Sequence, residues 1–135
     1  MRVLILLTML LLGLMSPSGA ADDVAAARAI ITAQTDALAR DDAATAYSYA
    51  APAIQNLFPQ ADTFMAMVRS KYAPVYRHKS FEFGAARESG GQILQDVHIV
   101  DADGVPWEAL YTLEPQADGS LKIIGCVLKV VGQAV

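Results

Sequence analysis

In Ile93-Leu94-Gln95-Asp96-Val97-His98-Ile99-Val100-Asp101-Ala102-Asp103-Gly104-Val105-Pro106-Trp107-Glu108-Ala109-Leu110-Tyr111-Thr112-Leu113, apolar residues recur with a period of two, interrupted at Gln95, on both sides of an Asp-Gly pair. A period of two is the mark of a strand with one buried face, and Asp-Gly is a strong short-range hairpin signal. Ile93, Val97 and Ile99 fall on one face of the first strand, with Asp96 and His98 on the other. In the second, Val105, Trp107, Ala109, Tyr111 and Leu113 alternate with Glu108, Thr112 and Glu114.

The same pattern extends outward. Upstream, Phe81, Phe83 and Ala85 alternate with Glu82 and Gly84, and Gly90-Gly91 marks a turn into Ile93. Downstream, Asp118-Gly119 turns the chain into an apolar run over 121–131. Three consecutive hairpins predict a four-stranded antiparallel meander. In the last strand Leu121, Ile123 and Val127 point one way, while Ile124, Cys126, Leu128 and Val130 point the other. A strand apolar on both faces is covered on both faces. Helices would cover one face, and a second copy of the chain would cover the other, which predicts a homodimer through the sheet. Wrapping of helix and loop segments around the sheet's end is the alternative.

Before residue 79 the period is helical. Asp22 and Asp23 are suitable N-cap residues, and Val24, Ala27, Ile31, Gln34 and Leu38 then fall on one side, opposite Arg28, Thr32, Asp36 and Arg40. Asp41-Asp42 offers a second cap for a short helix over 43–50, which Pro52 ends. Ile54, Leu57 and Phe58 are expected to plug the core from a turn. Pro59 and Asp62 introduce a third helix carrying Phe64, Met67, Val68 and Tyr72, and Pro74 stops it. Helices followed by a meander predict an α+β fold with N-terminal helices packed in a curved, cone-like four-stranded sheet.

Residues 1–21 read as a signal peptide: Arg2, an apolar run over 3–15, then Ser16-Pro17-Ser18-Gly19-Ala20-Ala21. The apolar run is shorter than the roughly 20 residues a spanning helix needs, so no stable membrane insertion is expected after cleavage following Ala20 or Ala21. Export to the periplasm or the medium is the expectation, with residues 22–135 as one α+β domain. The whole chain carries a net charge of −4, and losing Arg2 makes the remainder one unit more negative. Nucleic acid needs a basic stripe, and Lys71, Arg77 and Lys79 form only a local cluster, so no nucleic-acid partner is expected. Cys126 is the single cysteine and reads as a buried, inert thiol.

Three blocks carry a family resemblance. They are Asp41-Asp42-Ala43-Ala44 leading to Tyr47, Ala50 and Pro52-Ala53-Ile54; Phe64-Met65-Ala66-Met67-Val68 continuing to Tyr72-Ala73-Pro74-Val75-Tyr76-Arg77; and Asp101-Ala102-Asp103-Gly104 with Trp107-Glu108-Ala109-Leu110-Tyr111-Thr112-Leu113-Glu114, closed by Asp118-Gly119-Ser120 and Gly125-Cys126. Together they resemble an exported bacterial family known as domain of unknown function 4864. Leu121 departs from the aromatic residue expected after the Asp-Gly-Ser turn. The resemblance implies the nuclear transport factor 2-like cone, in which a curved sheet wraps helices. It implies no activity and no catalytic residues, because that superfamily hosts isomerases, dehydratases, binding modules and dimerisation modules alike.

A cone encloses a hollow, and Tyr47, Tyr76, His98, Trp107 and Tyr111 are the candidates to line it. Each has a plainer role: core packing for the aromatics, and a solvated polar face for His98 beside Asp96. Isomerase or dehydratase chemistry would need a carboxylate base facing a hydroxyl, and Glu108 points away from Trp107 and Tyr111 by strand parity. The two histidines, His78 and His98, have no third ligand at metal spacing, and no phosphate or dinucleotide motif occurs; no cofactor and no metal are expected. The expected function is the binding of a small apolar ligand or a protein partner. Enzyme chemistry in the same hollow and a filled, purely structural dimer are the alternatives.

Overall fold

The computed structural model of the protein describes residues 19–132. Five helices precede four strands: α1 (Ala20–Ala39), α2 (Ala43–Ser48), α3 (Pro52–Leu57), α4 (Ala61–Lys71), α5 (Ala73–Tyr76), β1 (His78–Ser89), β2 (Gln92–Asp101), β3 (Pro106–Pro115) and β4 (Leu121–Val130). The strands form one antiparallel sheet in the order β1-β2-β3-β4, as the three turn signals predict. Each turn holds glycine in the left-handed region: Gly90 and Gly91 at φ 57° and 80°, Gly104 at 84° and Gly119 at 85°. The leader assigned to residues 1–21 lies outside the described residues except for its last three.

The amphipathic face of α1 is as expected, with Ala27, Ile31, Gln34 and Leu38 buried, joined by Thr35 and Ala37. Its start is not. The helix is capped by Gly19, so Asp22 and Asp23 sit in the first turn and act on the helix dipole instead of capping. Asp42 does cap α2, its carboxylate accepting from the Thr45 N–H at 3.2 Å. Pro52 opens α3 at its first turn, where a missing N–H costs nothing. Pro74 likewise starts the single turn of α5, so the chain restarts where the sequence predicts only a stop.

Three register shifts interrupt simple alternation, one between His78 and Ser80 at the start of β1 and two that are bulges within the sheet. In β1, Phe83 pairs with Val97 and Ala86 with Gln95, so Gly84 and Ala85 share the span of one partner residue. Ala85 is therefore exposed, not inward as alternation predicts. In β4, Leu113 pairs with Ile123 but Thr112 with Gly125, and Tyr111, Ala109 and Trp107 then pair with Cys126, Leu128 and Val130. The extra residue puts Cys126, Leu128 and Val130 on the face of Ile123 and leaves Val127 outward, 58% exposed. The apolar residues of β4 thus form one face interrupted by a bulge. The second apolar face, which was the ground for expecting a dimer through the sheet, reduces to Val127 and its neighbour Leu110.

Helices α1, α3 and α5 pack on the sheet, and α2 bridges α1 and α4. The segment between α2 and α3 docks on the outer edge of β4: the Ile123 N–H donates to Tyr49 O at 2.9 Å, and the Ala51 N–H to Ile123 O at 2.8 Å. An open strand edge is a template for stray pairing, and this short parallel bridge occupies it at Ile123.

Gln95 is fully buried beside the β1 bulge. Its Nε2 donates toward the carbonyls of Gly84 (3.1 Å), Ala85 (3.3 Å) and Asp96 (2.7 Å). Its Oε1 accepts from Arg28 Nε at 3.0 Å, and the same guanidinium donates to Gly84 O at 3.1 Å. A bulge strands backbone groups from the ladder, and buried polar groups need partners. Gln95 and Arg28 supply them, tying α1 to β1 and β2. Replacing Gln95 with Leu should cost about 2–3 kcal/mol, since carbonyls and a guanidinium lose partners together. Urea denaturation measures this, and Arg28→Ala in the Gln95→Leu background should add much less than it does alone. A Gln95→Leu loss within about 0.5 kcal/mol of zero, as at an ordinary surface site, would refute the role.

Candidate functional site

A cavity of about 730 Å³ lies between the helices and β4, near the upper part of the range for small-molecule pockets. Leu38 of α1, Ile54 and Leu57 of α3, and Met67 and Val68 of α4 form its apolar wall opposite Leu128 of β4. None of the six residues of α3 is fully buried, although Ile54 packs partly against the core. Its proline start and the pairing of Ala51 with Ile123 hold α3 over the β4 edge, and its side chains do not fill the space beneath. Leu57 is 75% exposed although it borders the cavity, so the mouth opens beside it. Lys71, at the C-terminal end of α4, is exposed on the same rim.

Three polar side chains of the lining, Tyr72, Tyr111 and Cys126, meet at one place, apart from Lys71 and from Gln34, whose Nε2 donates to Ala46 O at 3.2 Å. The Tyr72 hydroxyl donates to Cys126 O at 3.0 Å, which uses its hydrogen. Tyr111 is 1% exposed and stacks edge-on against Phe81, ring centroids 6.4 Å apart. Among the described residues its hydroxyl meets no partner in hydrogen-bond geometry. The Cys126 thiol stands beside it, and a thiol is only a weak donor or acceptor. Burial pushes the Cys126 thiol up to about 12 despite the opposing pull of the Tyr111 hydroxyl. Burial also pushes the Tyr111 phenol well above its usual value, with Cys126 adding to the shift. Desolvation disfavours each charged form, so phenol and thiol are both neutral at physiological pH. Among the described residues the lining contains no Asp, Glu or His.

Of the five residues expected to line the hollow, Tyr111 does so and the other four lie elsewhere. Tyr47 stacks on Phe64 at 5.6 Å, and its hydroxyl donates to Phe58 O at 2.7 Å, fastening the chain after α3. Trp107 is half-buried toward the Asp103-Gly104 hairpin, with Nε1 donating to Asp101 Oδ2 at 2.9 Å. Asp101 also accepts the N–H groups of Asp103 and Val105, each at 2.9 Å, so Trp107 completes a turn motif. His98 lies on the outer sheet face. Its partner is Glu108 across the strand, Nδ1 to Oε1 2.8 Å, not Asp96 along its own strand. Gly84 makes room for it, since a Cβ there would stand 2.7 Å from His98 Nε2.

Tyr76 belongs to a polar hub on the helical side. Asp41, at φ 57°, turns the chain between α1 and α2 and accepts from the Tyr76 hydroxyl, from Arg69 at 3.0 Å and from Arg77 at 3.3 Å. The Arg77 guanidinium also covers the Tyr76 ring at 3.8 Å from its centroid. What the sequence reading missed is the cavity role of Tyr72, Lys71 and Leu57. Only the bulge in β4, which alternation does not reveal, brings Cys126 next to Tyr111.

Helices are held in the curl of an antiparallel sheet, with a hollow between them. The chain is similar to an NTF-2-like protein of unknown function from Silicibacter pomeroyi DSS-3, with a TM-score of 0.58 over 83% of this chain and 98% of that one, at 16% identity. At that identity the likeness speaks for the fold alone. Residues 20–134 match the family described as Domain of unknown function (DUF4864), and the chain belongs to that family. No curated protein matches it.

The Asp41 hub generates a pH dependence. The hydrogen bond from Tyr76, then that from Arg69 and the charge of Arg77, hold the Asp41 carboxyl below its ordinary value. A carboxyl lowered on folding stabilises above its unfolded value, near 3.9, and the benefit fades as pH falls through the folded value. Asp41→Asn keeps a residue that tolerates the left-handed backbone. It should melt below wild type at pH 7, and the difference between the two should shrink as the pH falls through the folded value of Asp41. Identical curves at pH 7 would show that the hub contributes no stability.

Proposed function

We propose that this protein is a binding module that takes a small, predominantly apolar molecule into the cavity between α3, α4 and β4. The observation that carries the reading is an unfilled hollow of about 730 Å³ with an apolar wall and a few convergent polar groups, the usual composition of a ligand site. Close packing is the rule in protein interiors, and a purely structural unit would gain stability by filling the space. Isomerase or dehydratase chemistry is less well supported. It needs a base within reach of the bound molecule, and the lining offers phenols, a thiol held protonated and a lysine at the rim.

Leu57 provides the test. It is largely exposed, so Leu57→Ser should leave the melting temperature unchanged. It should weaken binding of a neutral apolar dye such as Nile red about fivefold, the equivalent of about 1 kcal/mol of apolar contact. Wild-type protein that leaves the dye's emission unchanged at high micromolar concentration would refute the reading.

We further propose that the protein works outside the cytoplasm, on the strength of the charged, apolar and small-residue order of residues 1–21. No helix among the described residues is long and apolar enough to cross a membrane. Intact-mass measurement of the protein made from the full reading frame in a Gram-negative host should find a chain beginning at Ala21 or Asp22. A chain retaining residues 1–20 in the cytosolic fraction would overturn export.

A further inference from the structure

We infer that the ligand is uncharged and carries a carbonyl-type acceptor oxygen, which takes its hydrogen bond from the Tyr111 hydroxyl. The inference rests on the binding function proposed above and adds the chemistry of the ligand's polar end.

Two observations converge on it. Tyr111 belongs to the cavity lining, and its hydroxyl is buried without a partner among the described residues. Native interiors leave few such groups, and each calls for a reason. The Cys126 thiol beside the Tyr111 hydroxyl offers at most a weak, poorly aligned hydrogen bond. Tyr72 already donates its hydrogen to Cys126 O, and the Cys126 thiol is a weak acceptor. Tyr72 and Cys126 both lie on the lining and both adjoin the Tyr111 hydroxyl, so the phenol's oxygen end lies toward the cavity, while its ring meets Phe81 edge-on on the same face of the sheet. A neutral phenol in that position is a donor awaiting an acceptor.

Charge then selects the kind of acceptor. A carboxylate drawn to Tyr111 would lose its water with no cation beside it, which is costly in apolar surroundings. Lys71 is the cation among the described lining residues, and it is exposed on the rim. An anionic ligand would hold its head at Lys71 and leave Tyr111 unserved. A ketone, aldehyde or ester oxygen satisfies the phenol without that penalty, and the hydrocarbon walls take the rest of the molecule.

Three matched probes test this with the intact described chain: 2-acetylnaphthalene, 2-ethylnaphthalene and 2-naphthoate, titrated calorimetrically. The acetyl compound should bind about five- to tenfold more tightly than the ethyl compound, the worth of one hydrogen bond. Tyr111→Phe should erase that preference by weakening the ketone alone, whereas Tyr72→Phe should keep it. In wild type, the carbonyl ¹³C resonance of labelled 2-acetylnaphthalene should move downfield on binding, a readout that needs no variant. Equal binding of the acetyl and ethyl compounds, with no shift, would overturn the inference and leave apolar binding standing. Tightest binding by 2-naphthoate, lost in Lys71→Gln, would also overturn it. Failure of all three probes to bind would instead bring down the binding function itself.

Discussion

One additional residue in β4, opposite the step from Thr112 to Leu113, decides which side chains the helices meet. Without it, Cys126 and Leu128 would face solvent while Val127 turned inward, because a shift of one residue exchanges the two faces of a strand. With it, Leu121 and Ile123 before the bulge and Cys126, Leu128 and Val130 after it all belong to the inner face. Bulges also bend a strand and sharpen its twist. The same irregularity therefore selects the lining and helps curl the sheet around the helices. It sits next to Ile123, where the chain between α2 and α3 pairs with the β4 edge. The curl, the position of α3 and the space beneath α3 thus share one local cause.

The bulge in β1 poses the opposite problem and receives a full solution. Its freed carbonyls are gathered by Gln95, whose remaining oxygen is taken by Arg28 from α1. The Arg28 guanidinium also lies 5.4 Å from the Phe83 ring centroid, so the helix is held by a charged group over an aromatic face as well. Gln95 and Tyr111 are equally inaccessible, yet one spends its hydrogen-bonding capacity and the other does not. The chain provides for a buried amide at one bulge and leaves a buried phenol open near the other. The contrast separates a structural polar group from one positioned for a molecule that is not part of the chain.

Much of the architecture was legible because its signals are local. Strand period, the Gly90-Gly91, Asp103-Gly104 and Asp118-Gly119 turns, and the spacing of Ala27, Ile31, Gln34 and Leu38 each depend on a few consecutive residues. The site was less legible because it depends on register. Alternation counted through a bulge assigns later side chains to the wrong face, which is how the pattern groups Val127 with Leu121 and Ile123, and Ala85 with Phe81 and Phe83. Aromatic residues were equally ambiguous. Trp107 and Tyr47 look like ligand-stacking groups in sequence, but Asp101 and the Phe58 carbonyl stand close enough to take their polar hydrogens. Tyr111 differs from them only in lacking such a neighbour, a fact of three-dimensional placement that no spacing encodes.

The cavity also bears on how this fold is stabilised. Helix α3 contributes six residues and fully buries none, so the atoms facing the hollow forgo the dispersion contacts that a filled core would give them. The helix is held by backbone pairing at Ala51 and Ile123 and by the reciprocal bonds of Tyr47 and Gln55, in which Gln55 Nε2 donates to Tyr47 O at 3.1 Å. Hydrogen bonds fix its position, and Ile54 is the α3 side chain that packs against the core. That division keeps the wall in place whether the hollow is filled or not, and it leaves Leu57 at the mouth to gain burial when an apolar molecule enters. Because the contacts that hold α3 lie at residues 47–58 and on Ile123, and the Tyr111 hydroxyl lies on the sheet, a ligand can enter without disturbing the Gln95–Arg28 lock at the β1 bulge.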